Sequence, residues 1–226
     1  MSSEQEQPAV CAAIEHTLLS AVAGLDQVDA LCAQALEHGF AAVCVHPIVV
    51  AHCRDRLRES IPRVVTVIGF PLGANLSRCK AYEAELAVAD GADELDMVMR
   101  LDAAKAGDWD AVEDDVRGVV RAVQGRPVKL IIETGLLSDL EKERACEAAI
   151  RSGAAYVKTC TGHGPGAATV DDVRLLERVG AGRIRIKASG GIRSAAQASA
   201  LIAAGAQRLG TSAGVQIVAE LARRRA

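Results

Sequence analysis

Hydrophobic and polar positions alternate between two patterns along this chain, and the pair repeats. Short apolar runs of strand length are each followed by a longer Ala- and Leu-rich stretch with helical periodicity. The strand pattern covers Ala12–Thr17, Ala41–Val45, Arg63–Ile68, Glu94–Val98, Val128–Glu133, Tyr156–Thr159, Ile184–Lys187 and Arg208–Gly210. The helical pattern covers Gln27–His38, Val49–Glu59, Ser77–Asp90, Asp110–Val123, Asp139–Ser152, Val170–Val179, Ser194–Ala204 and Ala213–Arg223. A short phrase, glycine followed by small residues and then a strand, recurs at Gly39, Gly91, Gly153 and Gly205. Each glycine suits the left-handed position that ends a helix. The repeats are spaced at about two βα units of roughly 30 residues each. Eight strands alternating with eight helices predict an α/β chain folded as a single-domain (β/α)8 TIM barrel. A doubly wound open sheet is the competing arrangement.

Composition agrees with this pattern. Half of the 226 residues are hydrophobic but only 2% are aromatic, so Ala, Val, Leu and Ile build the core. The formal net charge is −3, which does not advertise nucleic-acid binding. Arg223–Arg225 reads as the solvated, dipole-complementing end of a helix. Met1–Pro8 is polar and acidic, is expected to be a flexible extension, and lacks the apolar segment of a secretory signal. No stretch is apolar enough to span a bilayer. Seven scattered cysteines then read as reduced thiols, and the expected compartment is the cytoplasm.

Two lysines change the picture. Lys158 and Lys187 close the sixth and seventh strands, and each opens into a small, polar, glycine-containing turn. A charge at the end of a buried strand is costly to desolvate. Adjacent parallel strands lie about 5 Å apart, so the two cations meet. A free lysine titrates near 10.4, and a drop to about 7 would make half of it a neutral nucleophile. Strand alternation places Asp96 inward on the fourth strand and pairs Ile131 with Glu133 on the fifth. Asp96, Glu133, Lys158 and Lys187 are thus expected to line one polar ring at the barrel mouth. Arg185 shares the face of Lys187 and is expected nearer the bottom rim. A structural salt-bridge network and a reactive amine are both compatible with this pattern.

Two further loops suit a phosphate. Ser189-Gly190-Gly191 follows the seventh strand, and Gly210-Thr211-Ser212-Ala213-Gly214 follows the eighth and opens the last helix. Glycine lets backbone N–H groups approach an anion, and a helix N-terminus adds a favourable dipole. Cys44, His46, His52 and Cys53 do not have the spacing of a structural zinc site, and no metal is expected. Cys160 is expected to be a buried, inert thiol.

Several stretches, in order over nearly the whole chain, resemble the 2-deoxyribose-5-phosphate aldolase family. They are Ile14–Leu19, Gly69–Gly73, Gly91–Val98, Ile132–Gly135, Val157–Gly162, Lys187–Arg193 and Arg208–Ser212. The resemblance implies a class I aldolase that reversibly cleaves 2-deoxy-D-ribose 5-phosphate to D-glyceraldehyde 3-phosphate and acetaldehyde. It implies Lys158 as the Schiff-base lysine, Lys187 as the lysine that lowers its pKa, and Asp96 as a proton relay acting with water. Thr161, Gly162, Gly190, Gly191, Thr211 and Ser212 fall where the family contacts substrate or its phosphate. No cofactor is implied, and a homodimer is expected. The chain departs from the family pattern at Glu15, usually Asp, and at His46, Cys160, His163 and Ala167. Another phosphate-sugar enzyme on the same barrel, or a silent barrel that binds a phosphorylated metabolite, would share part of this pattern.

Overall fold

The computed structural model describes residues 3–224. Eight parallel strands close into a barrel in sequence order. They are β1 (Ile14–Leu18), β2 (Ala42–Val45), β3 (Arg63–Ile68), β4 (Glu94–Val98), β5 (Val128–Ile131), β6 (Tyr156–Lys158), β7 (Arg185–Ser189) and β8 (Arg208–Thr211). Closure is made by β1 against β8, where Glu15 pairs with Gly210 and His16 with Thr211. That pairing rules out the open doubly wound sheet. The helices are α1 (Ser3–Ala13), α2 (Leu25–His38), α3 (Val50–Arg56), α4 (Ser77–Ala89), α5 (Leu101–Ala106), α6 (Trp109–Ala122), α7 (Asp139–Arg151), α8 (Val170–Gly180), α9 (Ala195–Ala203) and α10 (Gly214–Arg223).

All eight expected strands are present, with ends moved by up to two residues. Gly39, Gly91, Gly153 and Gly205 all have positive φ, as their helix-ending role requires. Local chemistry starts the helices: Ser138 and Glu141 form a reciprocal capping box on α7, and Ser194 and Gln197 do the same on α9. Two helices lie outside the predicted set. The first is α1, which overlaps the segment expected as an extension and packs on α9 and α10. The second is α5, a short turn stopped by Gly107 at φ 77°. The helix expected to reach Glu59 stops at Arg56, where Leu57 leaves helical geometry with φ −105° and ψ 14°, and Glu59 beyond it adopts a positive φ of 60°.

Side chains alternate across every strand. Val43, Val45, Leu95, Met97, Leu130, Val157, Ile186 and Leu209 belong to the main apolar core shared with the helices. The barrel interior is divided. Ala42, Cys44, Val65 and Val67 make an apolar half on β2 and β3. The other half buries Glu15, Glu94, Asp96, Lys129, Lys158 and Lys187. Interior layers of branched apolar residues are usual for this fold, so the charged half marks a site. Among the described residues, no helix is long and apolar enough to cross a membrane.

Candidate active site

Lys158 ends β6 and pairs in register with Lys187, which does not close β7 as expected but lies mid-strand, since β7 runs on to Ser189. Both donate to the same oxygen, Oδ2 of Asp96, at 2.7 and 2.6 Å. Lys129, from β5, donates to the other oxygen, Oδ1, at 3.0 Å. Asp96 thus accepts from three ammonium groups with no solvent contact of its own. Burial opposes its ionisation, but Lys129, Lys158 and Lys187 outweigh that cost and hold its carboxyl well below the usual range.

The three lysines are held unequally. Lys129 faces Glu94 at 2.8 Å and Glu15 at 3.4 Å as well as Asp96. Lys187 reaches Glu15 as well as Asp96. Lys158 has one carboxylate partner, and it shares that oxygen. Burial favours the neutral form of Lys187, yet Asp96 and Glu15 raise its pKa overall. The same contest at Lys129, with Asp96, Glu15 and Glu94 against burial, also ends in a raised pKa. Lys129 and Lys187 are therefore fixed cations, and Lys158 is the amine with least to hold it.

Above this cluster opens a cavity of about 370 Å³. Thr161, Gly162, Gly190, Gly191, Thr211 and Ser212 all line it, together with Ser20, His163, Ser189 and Arg193. Gly190 and Gly191 adopt φ of 100° and 72°, and a Cβ on Gly191 would come within 2.8 Å of Ala167 Cβ. The hydroxyl of Thr211 already donates to Ile192 O at 2.7 Å and accepts from Ala213 N, which ties the two glycine loops together. Ser212 is exposed at the start of α10. Arg193 is the cation on the cavity wall, and the sequence pattern did not single it out. Gly210 forms part of the floor, and a Cβ there would meet Lys187 Cε at 3.1 Å.

Glu133 does not join the lysine ring as expected. The fifth strand ends at Ile131, and Glu133 turns aside with φ 56°. Its carboxylate instead accepts the Thr161 hydroxyl at 2.5 Å and the Thr161 amide at 3.2 Å. The ring position is filled by Lys129 and Glu15. Alternation put Lys129 on the face of Ile131, so a lysine between Val128 and Leu130 was a readable signal. Arg185 does lie toward the bottom, exposed, with its guanidinium 4.0 Å from the centre of the Tyr156 ring.

A family model described as DeoC/LacD family aldolase matches residues 10–220. The chain belongs to this aldolase family. It is 54% identical to deoxyribose-phosphate aldolase of Deinococcus radiodurans, over 91% of this chain and 93% of that one. It is 50% identical to the Thermus thermophilus enzyme of the same name, over 93% and 96%. The solved structure of deoxyribose phosphate aldolase from Aeropyrum pernix superposes with a TM-score of 0.88 at 30% identity, covering 96% of this chain and 95% of that one.

The departures from the family pattern take definite places in this aldolase. Glu15 spans from β1 to Lys187, Lys129 and Arg208. Cys160 is buried beside Thr134, 3.3 Å from its hydroxyl, and burial pushes its thiol pKa up, which suits the expected inert role. His163 lies on the cavity wall with its ring edge-on to Phe70, centroids 5.0 Å apart. His46 also meets Phe70, with ring centroids 6.1 Å apart, and contacts Leu19 O at 3.1 Å. Phe70 thus contacts residues that follow both β2 and β6.

Proposed function

We propose that this chain cleaves 2-deoxy-D-ribose 5-phosphate reversibly to D-glyceraldehyde 3-phosphate and acetaldehyde through a Schiff base on Lys158. The observation that carries the assignment of Lys158 is the unequal hold on the lysines: two are locked by two or three carboxylates each, and Lys158 shares one oxygen with its neighbour. Neutral Lys158 attacks C1 of the open-chain sugar, and loss of water gives a protonated imine. The iminium is the electron sink. The C3 hydroxyl gives up its proton, the C2–C3 bond breaks, and its electron pair forms the enamine as glyceraldehyde 3-phosphate departs. Proton return to C2 and hydrolysis of the imine release acetaldehyde and the free amine.

Asp96 is the proton carrier in this scheme. Against three ammonium groups it is a weak base. Once the enamine forms, the nitrogen of Lys158 is uncharged, two cations remain, and the carboxylate becomes more basic when a proton must be held. Lys187 keeps a positive charge beside Lys158 and favours loss of its proton. The phosphate is assigned to Gly190, Gly191, Ser212 and the α10 N-terminus, with Arg193 at the rim. Thr161, Gly162 and Thr211 shape the walls. No cofactor takes part.

Borohydride trapping with deoxyribose 5-phosphate or acetaldehyde, followed by peptide mapping, tests this reading. The expected result is a reduced adduct on Lys158 that is absent from Lys158→Ala, together with loss of at least about a thousandfold in kcat. No adduct from folded wild-type protein would replace the aldolase with a silent metabolite-binding barrel. The corresponding setting is a cytoplasmic homodimer. Val22, Ile48 and Leu72, which follow β1, β2 and β3, are 90%, 91% and 70% exposed and are the apolar side chains offered as contacts for a second copy. Sedimentation equilibrium giving twice the chain mass is expected, and a monomer at micromolar concentration would remove that assignment.

A further inference from the structure

Strand register extends the pair of lysines to a row of three cations. Lys158 pairs with Lys187 across β6 and β7, and Lys187 pairs with Arg208 across β7 and β8. Arg208 is mostly enclosed, with 22% of its side chain exposed, and faces Glu15 at 3.6 Å and Glu94 at 3.9 Å. The interior holds three carboxylates: Glu15, Glu94 and Asp96. Lys129, Lys187 and Arg208 balance them one for one. Lys158 is the fourth cation.

We infer that Arg208 is a positioning residue for catalysis: it completes charge balance from the far end of the barrel and so leaves the proton on Lys158 as the surplus one. This rests on the aldolase reading above and adds a residue to it. Every other charged or titratable neighbour can be placed. Asp96 from β4 and Lys187 from β7 touch Lys158 or its partner oxygen, and Lys129 from β5 holds the opposite oxygen. Cys44 from β2 lies 4.0 Å from Asp96, and burial pushes its thiol pKa up, so it stays neutral. Glu133, after β5, is occupied by Thr161, and His163, after β6, lies on the cavity wall. Arg185 is exposed over Tyr156. Arg63 faces Glu94 at 3.8 Å but is 57% exposed, so solvent screens it. Burial opposes ionisation of Glu94, and Lys129 and Arg208 together overcome it, so Arg208 already acts on the charge state of this cluster.

Without Arg208 the interior would hold three cations and three carboxylates while Lys158 is protonated. The neutral amine would then leave an unbalanced negative charge. Two interstrand spacings separate the Cα atoms of Lys158 and Arg208, about 10 Å. At an effective dielectric near 20, one charge at that range is equivalent to about one pH unit.

The test is the pH profile of kcat/KM for deoxyribose 5-phosphate in wild type, Arg208→Gln and Arg208→Lys, with circular dichroism melts on each. In Arg208→Gln the acid limb is expected to move up by about one unit, lowering activity about tenfold below the limb. Arg208→Lys, which keeps the charge, is expected to restore the wild-type position. Arg208 also donates to Ala12 O at 3.2 Å, and a purely structural role through that bond would depress kcat at every pH without moving the limb. An unmoved limb in folded Arg208→Gln overturns the inference. Borohydride trapping on wild-type Lys158 separates the two failures: an adduct with an unmoved limb rejects only the role of Arg208, whereas no adduct at any pH rejects the aldolase reading itself.

Discussion

The carboxylate of Glu133 receives both the hydroxyl and the amide of Thr161, at 2.5 and 3.2 Å, with both residues buried. The same hydroxyl accepts from the amides of His163 and Gly164 at 3.0 and 3.2 Å. One carboxylate thus organises the loop that forms a wall of the cavity three residues beyond Lys158. Hydrogen bonds to a charged group contribute about 1.5–3 kcal/mol each. Glu133→Gln is expected to raise KM for deoxyribose 5-phosphate by about tenfold or more. Borohydride trapping of acetaldehyde on Lys158 should persist. Steady-state kinetics beside trapping checks both, and an unchanged KM would show that the loop holds its shape without the carboxylate.

A side chain at Gly191 tests the proposed phosphate loop separately from Lys158. A side chain there meets Ala167 at 2.8 Å and must adopt φ 72°. Gly191→Ala is expected to weaken binding of the phosphorylated sugar, raising its KM by about tenfold, since positive φ and a displaced loop cost of order 1–3 kcal/mol. Acetaldehyde carries no phosphate, so its trapping on Lys158 should be nearly unchanged. Equal loss with both compounds would move the phosphate away from this loop.

Lys80 and Asp115 form an ion pair outside the barrel with no solvent exposure on either side chain. Lys80, from α4, reaches Asp115 of α6 at 2.7 Å and the carbonyl of Val98 at the end of β4 at 3.0 Å. Burial lowers the pKa of Lys80, and Asp115 only partly restores it. Removing one partner strands a buried charge. Lys80→Met or Asp115→Leu alone is expected to cost about 3–5 kcal/mol, and the double variant to recover most of it. Urea denaturation of the three proteins measures this, and additive losses would contradict it.

His16 gives the fold a sensitivity to mild acid. Burial lowers its pKa, and the hydrogen bond to Gln34 at 2.8 Å only partly opposes this. The unfolded imidazole titrates near 6.5, so below that value the unfolded chain binds the extra proton first. Stability is therefore full above pH 6.5 and declines as pH falls toward the lower folded value. Asp96 acts later: its depressed pKa sustains stability above about 3.8 and loses it under stronger acid. Melts between pH 8 and 4 are expected to show a first decline near 6.5 that is absent from His16→Gln.

The sequence pattern carried the barrel because its strands are apolar, evenly spaced and separated by helix-ending glycines. Lys158 and Lys187 stood out because a small, glycine-containing turn follows each closely, although β7 runs two residues past Lys187. Lys129 breaks the apolar pattern too, but no glycine turn follows closely enough to draw attention to it. Glu133 was misplaced because alternation was carried two residues past the true strand end, into a residue with a left-handed backbone. The helix α1 has a polar composition and Pro8 within it, so it has little local signal and owes its place to packing on α9 and α10.

Closure of β1 on β8 bears on the moment at which activity first exists. Lys187 and Glu15 meet across 172 residues of chain, and β8 must pair with β1 before the ring is complete. Contacts of such long range form late, because the loop entropy is lost before they are made. A nascent chain still lacking its final strand has neither a finished barrel nor a complete set of counter-charges. On the aldolase reading proposed above, imine chemistry at Lys158 is expected to begin only once β1 and β8 have joined.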